Sequence, residues 1–311
     1  MSDFTILNKA QLKRLSDEDR IKYQTKANEY FANLENQLEN FDKKRLLHPF
    51  LLAGVSLFPY VKIRKLNDFS WPEDNGPVIF SVNHSSSKDF PVISRLIKEH
   101  FFIIADYTMQ NDSFVDMLNK ANGCIYLDRK SKKSGQNAIN QAIEGVNNGY
   151  NMAIFAEGTW NLLENRLILP RKWGDLKIAQ QTKRPIIPIV LEHTGNYCFA
   201  KFGKTRYVTE KDNIEKIDQE IYNEMTELRQ SIREDNEYKS KRKEISYEDW
   251  LKETIKGYKY FDVEYEMSMV RKDADYNQEE FDYIIKTGEK IRPISQIEKK
   301  LKLSKINYRL K

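Results

Sequence analysis

The stretch with the clearest chemical potential is residues 78–90, which read VIFSVNHSSSKDF. The apolar run predicts a strand that ends at Asn83 and His84, and Asp89 follows five residues after the histidine, where a helical pattern begins. A carboxylate within reach of an imidazole holds the ring in one tautomer and makes it a better base. The spacing therefore predicts a His84–Asp89 couple. Aspartate is also a common helix cap, so a purely structural role for Asp89 stays open.

Three further blocks follow, each a short apolar run that ends in charged or glycine-containing polar residues. They read GCIYLDR at residues 123–129, FAEGTWN at residues 155–161 and RPIIPIV at residues 184–190. Together with NHSSSKD, an HX4D motif, they resemble the four ordered blocks of the glycerolipid acyltransferase family, the PlsC-like or 1-acylglycerol-3-phosphate acyltransferase type. The resemblance covers roughly residues 78–191.

The resemblance implies a chemistry that needs no nucleophile from the protein. Transfer of an acyl group from a thioester to an alcohol requires a base for the hydroxyl and stabilisation of a tetrahedral oxyanion. His84 corresponds to the family's base and Asp89 to the carboxylate that orients it. Ser85, Ser86 and Ser87 follow, but the sequence lacks the G-x-S-x-G turn that presents a nucleophilic serine. Ser86 matches the serine of the family's first block.

The same resemblance implies which residues bind the acceptor. Arg129 is suited to hold a phosphate through two hydrogen bonds, Gly158 lets the backbone approach a headgroup, and Lys172 supplies a second cation. The implied substrate-binding residues are Asn83, Ser86, Arg129, Glu157, Gly158, Thr159, Trp160 and Lys172. Because arginine and glutamate at strand ends are often solvated surface groups, that reading stays open for Arg129 and Glu157.

Trp160 departs from the family pattern, because it stands where the third block has an arginine. Loss of a guanidinium removes a charge-assisted hydrogen bond worth about 1.5–3 kcal/mol. The resemblance as a whole implies an O-acyltransferase that acts on a lysophospholipid such as 1-acylglycerol-3-phosphate, whereas Trp160 keeps other acceptors open. The alternatives are an acyltransferase for a non-phosphate amphiphile, such as a glycolipid or polyol, and a lipid-binding protein with a degenerate acceptor site.

The resemblance also implies the co-substrate, which is acyl-CoA or acyl-acyl carrier protein, and no other cofactor. The four histidines lack the spacing of metal ligands, so the sequence predicts no metal site. Besides His84, we expect one histidine to face the site, which is His193, because it follows a predicted strand. A net charge of +5 against 31% charged residues gives no global basic field, so we expect no nucleic-acid partner.

The pattern of apolar residues predicts an α/β fold. Strand-like runs occur at residues 78–82, 101–105, 124–127, 152–155 and 186–191, with helical patterns between them. We expect a largely parallel or mixed central sheet covered by helices, with an N-terminal helical segment and a helical C-terminal extension. Ligands of such sheets bind beyond the carboxyl ends of the strands, where His84, Arg129 and Glu157 converge.

We expect three regions: N-terminal helices at residues 1–66, an acyltransferase catalytic domain at 67–210, and an extension at 211–311 that packs on the catalytic domain. A single long amphipathic helix is predicted from residue 17 to residue 41. In the extension, the alternation of apolar and polar residues at 261–269 predicts a strand among helices.

Residues 46–61 form the most apolar segment and have basic residues on both sides. Sixteen residues with two prolines are too short for a comfortable membrane span, which needs about 20 residues. The segment either packs in the core or lies on a membrane surface. The basic tail at 297–311 is either a solvated surface or a second contact with an anionic membrane. Two cysteines without a C-x-x-C spacing and no leader-like apolar start predict a cytoplasmic protein. The apolar segment with its basic flanks, and the lipid substrates that the resemblance implies, suggest that it is peripheral at the inner face of the cell membrane.

Overall fold

A seven-stranded sheet organises the computed structural model, which describes residues 4–7, 9–56, 61–111, 113–163, 165–256, 261–272 and 277–292. The strands are β1 (Lys62–Lys65), β2 (Ile79–Val82), β3 (Phe101–Asp106), β4 (Cys124–Leu127), β5 (Asn151–Phe155), β6 (Ile186–Thr194) and β7 (Tyr197–Phe202). Their order across the sheet is β1-β7-β6-β2-β5-β3-β4. Neighbours are parallel except β6 and β7, which form an antiparallel pair. The sheet is therefore mixed and mostly parallel, as predicted.

Helices cover both faces of this sheet. In chain order they are α1 (Lys9–Arg14), α2 (Asp17–Ala32), α3 (Phe41–Ser56), α4 (Asp89–Ile97), α5 (Ser113–Asn122), α6 (Lys132–Asn147), α7 (Gly174–Thr182), α8 (Ile214–Glu234), α9 (Asn236–Lys241), α10 (Tyr247–Ile255), α11 (Val263–Ser268) and α12 (Gln278–Ile291). Apolar residues of α2 and α4 share one hydrophobic cluster with one face of the sheet. Those of α6, α7 and α8 share a second cluster with the other face.

Strand β2 lies in the middle of the sheet and leads directly to the first motif. Ile79, Phe80 and Val82 are fully buried, because β2 pairs with β5 on one side and with β6 on the other. A parallel strand buried on both faces reads as a continuous apolar run, which is why the sequence identifies it. The Asn83 side chain then extends the pairing to β6 through hydrogen bonds of 2.7 and 3.0 Å with the backbone of Leu191. His84 consequently begins the loop at the carboxyl edge of the sheet.

The N-terminal region corrects the prediction of one long helix over residues 17–41. The helix ends at Ala32 and a new one begins at Phe41. Between them Asn36 and Asn40 adopt left-handed backbone conformations with φ of 58° and 64°, which asparagine tolerates better than most residues. Strand β1 follows α3 and pairs in parallel with β7, so the sheet begins before residue 67.

The C-terminal extension corrects a second prediction, because residues 263–268 form helix α11 rather than a strand. The Asp262 side chain caps this helix by accepting a hydrogen bond from the Tyr265 amide at 3.0 Å. Val263, Glu266 and Met267 are its buried residues, which is helical rather than alternating spacing. Residues 57–60, at the end of the apolar segment, and the basic tail at 297–311 lie outside the described residues.

Helices α10 to α12 pack against the segment that follows β5. Trp160, Leu162 and Leu163 from that segment share a third hydrophobic cluster with residues of the extension. In the cluster, the ring centroids of Trp160 and Phe261 lie 4.6 Å apart. The extension is therefore in direct contact with the third sequence block.

Helix α3 carries the first part of the apolar segment and turns several of its large side chains outward. Leu46, Leu47 and Phe50 are 76%, 58% and 75% exposed. His48, on the same helix, is buried against the ring of His100. Within the described ranges, none of the helices has both the length and the apolar character to cross a bilayer.

Candidate active site

His84 and Asp89 form the predicted couple. The Nδ1 atom of His84 lies 2.8 Å from Oδ2 of Asp89, and the backbone amides of Ser85 and Ser86 donate to the same oxygen at 2.7 and 2.9 Å. Asp89 is fully buried in the first turn of α4, and its carboxylate points back to the preceding loop. The Asp89 side chain thus holds both the loop and the imidazole, and α4 begins without a side-chain cap.

A second imidazole binds the other oxygen of the same carboxylate. Nε2 of His193 lies 2.7 Å from Oδ1 of Asp89, and Sγ of Cys198 lies 3.7 Å from that nitrogen. His193 and Cys198 face each other across the β6–β7 pair, which fixes the position of the ring. Sequence reasoning anticipated that His193 faces the site, but not that it shares Asp89 with His84.

The charges in this network follow from its geometry. Burial would raise the pKa of Asp89, but the hydrogen bonds from His193 and His84 outweigh it and hold the pKa well below its usual value. Burial would lower the pKa of His193, but the Cys198 thiol and the Asp89 carboxylate raise it above its usual value. An ionised Asp89 keeps the His84 proton on Nδ1. The lone pair on Nε2 of His84 is then available to accept a proton.

Aromatic rings hold the imidazole of His84 from two sides. The ring of Phe155 stacks on it with a centroid separation of 4.1 Å, and the Trp160 indole meets it edge-on at 5.3 Å. Trp160 is only 4% exposed, because it is wedged between His84 and the C-terminal extension. The indole is therefore part of an apolar wall beside the base.

Glu157 has a different environment from the one that the resemblance implies. Its two carboxylate oxygens accept hydrogen bonds from the backbone amides of His84 and Leu169, both at 2.8 Å. Burial raises the pKa of Glu157 to about 7, although both amide bonds oppose the shift. With no exposed surface and both oxygens engaged by backbone, Glu157 fixes the His84 loop and does not face a substrate.

Asn83 and Thr159 are likewise structural in their contacts. The side chain of Asn83 is fully buried in its bonds to Leu191. Thr159 is 1% exposed, and its hydroxyl donates to Oε2 of Glu266 at 2.6 Å. These two residues and Glu157 were implied to bind substrate, and the structure places all three behind the surface of the site.

Arg129 lies at the carboxyl edge of the sheet, as predicted, but is already paired. Its guanidinium contacts Asp106 and Glu266, and its Cζ atom lies 5.0 Å from the ring centroid of Tyr265. Burial opposes the charge of Arg129, but Glu266 and then Asp106 raise its pKa well above the usual value. Sequence reasoning missed both carboxylates. Asp106 ends strand β3 at the same sheet edge and could have been found on that ground, whereas Glu266 lies far beyond the resemblance.

Lys172 stands next to this cluster. Gly158 has a φ of +69°, which favours glycine, and a Cβ atom there would lie 2.7 Å from Cδ of Lys172, so a larger residue would displace that side chain. Burial and then the charge of Arg129 lower the pKa of Lys172. By contrast, Arg171 is fully buried and bonded to Asp175 and Asp218, which makes it part of the core.

A cavity of about 1480 Å³ connects these groups. Its lining includes six of the predicted site residues, which are His84, Ser86, Arg129, Gly158, Trp160 and Lys172. The remainder is largely apolar, with side chains such as Phe90, Ile103, Leu118, Ile139 and Ile154. An apolar cavity with a basic imidazole at one wall can bind an alkyl chain and deprotonate a hydroxyl beside it. Within the described residues, no group of three or more histidine, cysteine, aspartate or glutamate side chains is arranged to hold a metal ion.

Comparison with known proteins points to the same chemistry. The sequence profile of the Acyltransferase family matches residues 61–192. The 1-acyl-sn-glycerol-3-phosphate acyltransferase of Saccharomyces cerevisiae is 28% identical over 128 residues, which are 41% of this chain and 42% of that protein. Its counterpart in Borreliella burgdorferi is 29% identical over 120 residues, 39% of this chain and 47% of that protein. This chain therefore spans less than half the length of these two curated relatives.

The fold has a counterpart among solved structures. The crystal structure of the 1-acyl-sn-glycerophosphate (LPA) acyltransferase PlsC from Thermotoga maritima superposes with a TM-score of 0.50 at 16% identity. The superposition covers 68% of this chain and 89% of that one. At this identity the similarity concerns the fold, and it extends beyond the region that the four sequence blocks cover.

Proposed function

We propose that this chain, whose residues 61–192 match the Acyltransferase family, transfers a fatty acyl group from a thioester to a hydroxyl of a lysophospholipid or related amphiphile. The observation that carries the proposal is the His84–Asp89 couple at the wall of a largely apolar cavity. The proposed donor is acyl-CoA or acyl-acyl carrier protein, and the product belongs to phospholipid or related lipid synthesis.

The proposed reaction uses the free nitrogen of His84. Nε2 takes the proton from the acceptor hydroxyl, and the oxygen attacks the thioester carbonyl to form a tetrahedral oxyanion. The carbon–sulfur bond then breaks, and the departing sulfur takes the proton back from the imidazolium. Asp89 keeps the ring in the required tautomer and stabilises its positive charge, while Glu157 and Phe155 hold it in place.

Two acceptor classes follow from different observations. The names of the curated relatives supply 1-acyl-sn-glycerol-3-phosphate as the reference acceptor. Trp160, which replaces an arginine of the family pattern and forms an apolar wall, favours a headgroup without a phosphate. Release of free thiol from acyl-CoA or acyl-acyl carrier protein, measured with the purified protein, tests the function with acceptors of both classes. Thiol release that no acceptor stimulates would contradict it.

We also propose that helix α3 binds a membrane surface, at the inner face of the cell membrane. Its exposed Leu46, Leu47 and Phe50 follow Lys43, Lys44 and Arg45, and this combination suits an interface rich in anionic lipid. Apolar side chains on this helix would enter the lipid while the basic residues contact headgroups.

Cosedimentation with phosphatidylglycerol vesicles tests this membrane proposal. Replacing Leu46 and Phe50 by serine should weaken binding at least about tenfold, since each side chain loses its burial in lipid. Ile21→Ser on α2, where the isoleucine is 67% exposed, is the matched control and should bind as wild type does. Salt should weaken the binding of all three proteins. Equal sedimentation of the folded double variant would contradict the proposal.

A further inference from the structure

All three nitrogens of the Arg129 guanidinium are engaged by groups of this chain. Nε donates to Asp106 at 2.5 Å, and Nη1 and Nη2 donate to the two oxygens of Glu266 at 3.0 and 3.1 Å. Nη1 also donates to the carbonyl of Gly158 at 2.9 Å. Two parallel bonds from the Nη atoms are the geometry with which arginine grips a carboxylate or a phosphate. Glu266 therefore occupies the place on Arg129 that a phosphate would take.

Glu266 is firmly held in this place. It is 4% exposed, and its Oε2 atom also accepts the hydrogen bond from Thr159. The neighbouring Tyr265 donates its hydroxyl to Asp106 at 2.7 Å, and its ring lies beneath the Arg129 guanidinium. Helix α11 is thus bound to two of the sequence blocks at once, so that Glu266 is a built component of the site.

Four charged groups of this cluster, two cations and two carboxylates, balance one another without a ligand. Arg129 and Lys172 carry positive charge, and Asp106 and Glu266 carry negative charge. The ammonium of Lys172, unlike the guanidinium of Arg129, makes no hydrogen bond or ion pair with another described residue, and the pKa of Lys172 is lowered by burial and by Arg129. A phosphate monoester would add a charge of about −1.5 to −2 at pH 7 beside two buried carboxylates. Of these four groups, Lys172 is the one cation whose side chain would be left to offset it.

An uncharged headgroup fits the same surroundings. Asp106, Glu266 and Lys172 all line the cavity. Hydroxyl groups can donate to the carboxylates and accept from the ammonium, whereas an ionised phosphate offers only acceptors. The cavity thus pairs an apolar region with a cluster of charges that is complementary to hydroxyl groups.

We propose that Glu266 sets the acceptor class of the proposed acyltransferase, selecting amphiphiles with an uncharged, hydroxyl-bearing headgroup, such as glycolipids or polyol lipids, over phosphate monoesters. The inference rests on the proposed function and on the bidentate Arg129–Glu266 pair.

The test compares three acceptors that share one glycerol hydroxyl and one acyl chain. They are 1-acylglycerol, 1-acyl-3-galactosylglycerol and 1-acylglycerol-3-phosphate, and kcat/KM is measured for each by thiol release at a fixed donor. Wild type should use at least one of the uncharged acceptors at least about tenfold better than the phosphate. Glu266→Gln, which keeps the shape but removes the charge, should raise the value for the phosphate about tenfold.

Two further variants separate charge from structure. Glu266→Asp retains the negative charge and should keep the wild-type preference even if the shorter side chain lowers stability. Glu264→Gln is the matched control, since Glu264 lies on the same helix and its side chain is 57% exposed. This variant should leave kcat/KM unchanged for all three acceptors. Binding of the three lipids to His84→Ala, followed by calorimetry, reports the same preference without turnover.

The outcomes distinguish the inference from the proposed function. A wild type that prefers the phosphate acceptor in turnover, with no gain from Glu266→Gln, overturns the role of Glu266 and leaves the acyltransferase function intact. If no acceptor supports turnover that depends on His84, the proposed acyltransferase function is contradicted. The binding preference of His84→Ala then decides the role of Glu266 by itself, and tighter binding of the phosphate lipid overturns it.

Discussion

The two ends of the cavity are built in opposite ways. At one end His84 keeps a free Nε2, which bonds to none of the described residues, and its other nitrogen is held by the buried Asp89. At the other end Arg129 has no free donor face, because Glu266 and Asp106 bind it. The first end is prepared to act on a substrate, whereas the second is completed by the protein itself. In the proposed function, reactivity comes from one short loop, and the proposed selectivity comes from a segment more than a hundred residues away in sequence.

The largest effect on stability should come from the end of the cavity at Arg129. Arg129→Ala would leave two buried carboxylates without their cation, and we expect a loss of about 3–5 kcal/mol in the free energy of unfolding. His84→Ala should cost far less stability, since it removes one partner of a carboxylate that keeps three others. Urea unfolding of the two variants measures the contrast. Similar free energies of unfolding for Arg129→Ala and His84→Ala would contradict the difference between the two ends.

A smaller effect on stability is expected at the end of the cavity that holds His84, where His193 binds the same carboxylate. The pKa of His193 is raised from 6.5 in the unfolded chain to about 10 in the folded protein, so its charge stabilises the fold fully below pH 6.5. This stabilisation disappears as the pH rises through about 10. His193→Gln can still donate to Asp89 but carries no charge, and we expect it to be about 1.5–3 kcal/mol less stable at pH 6.

Urea unfolding at pH 6 and pH 9 measures this difference. The gap between wild type and His193→Gln should shrink at pH 9, because above pH 6.5 the unfolded histidine is neutral and folding must take up a proton. A gap that is the same at both values would show that His193 contributes through packing and hydrogen bonding alone.

Features that depend on short stretches of sequence could be predicted. Strand β2 reads as an apolar run because both of its faces are buried, and His84 and Asp89 meet because a five-residue spacing limits where they can lie. The helices α8 and α10 show clear apolar periodicity. These features need only local geometry, and the parallel order of the central strands follows from the alternation of strand and helix.

Features that depend on distant partners could not be predicted. Glu157 ends a strand as a ligand-binding residue would, yet its partners are backbone amides whose direction only the folded loops determine. The alternation around Val263 and Tyr265 suits a strand, but the capping aspartate and the packing of α11 make it a helix. The pairing of Glu266 with Arg129 joins positions 137 residues apart, and no spacing rule reaches that far.

Turnover by His84→Ala tests the central claim most directly. With acyl-CoA and the best acceptor, we expect acceptor-dependent thiol release to fall on the order of 100-fold or more, because the hydroxyl loses its base. Asp89→Asn should lose less, because the aspartate orients the ring and takes no proton. Circular dichroism should show that His84→Ala is folded. Near-normal acceptor-dependent turnover by that folded variant would contradict the account, since proton transfer would then not pass through His84.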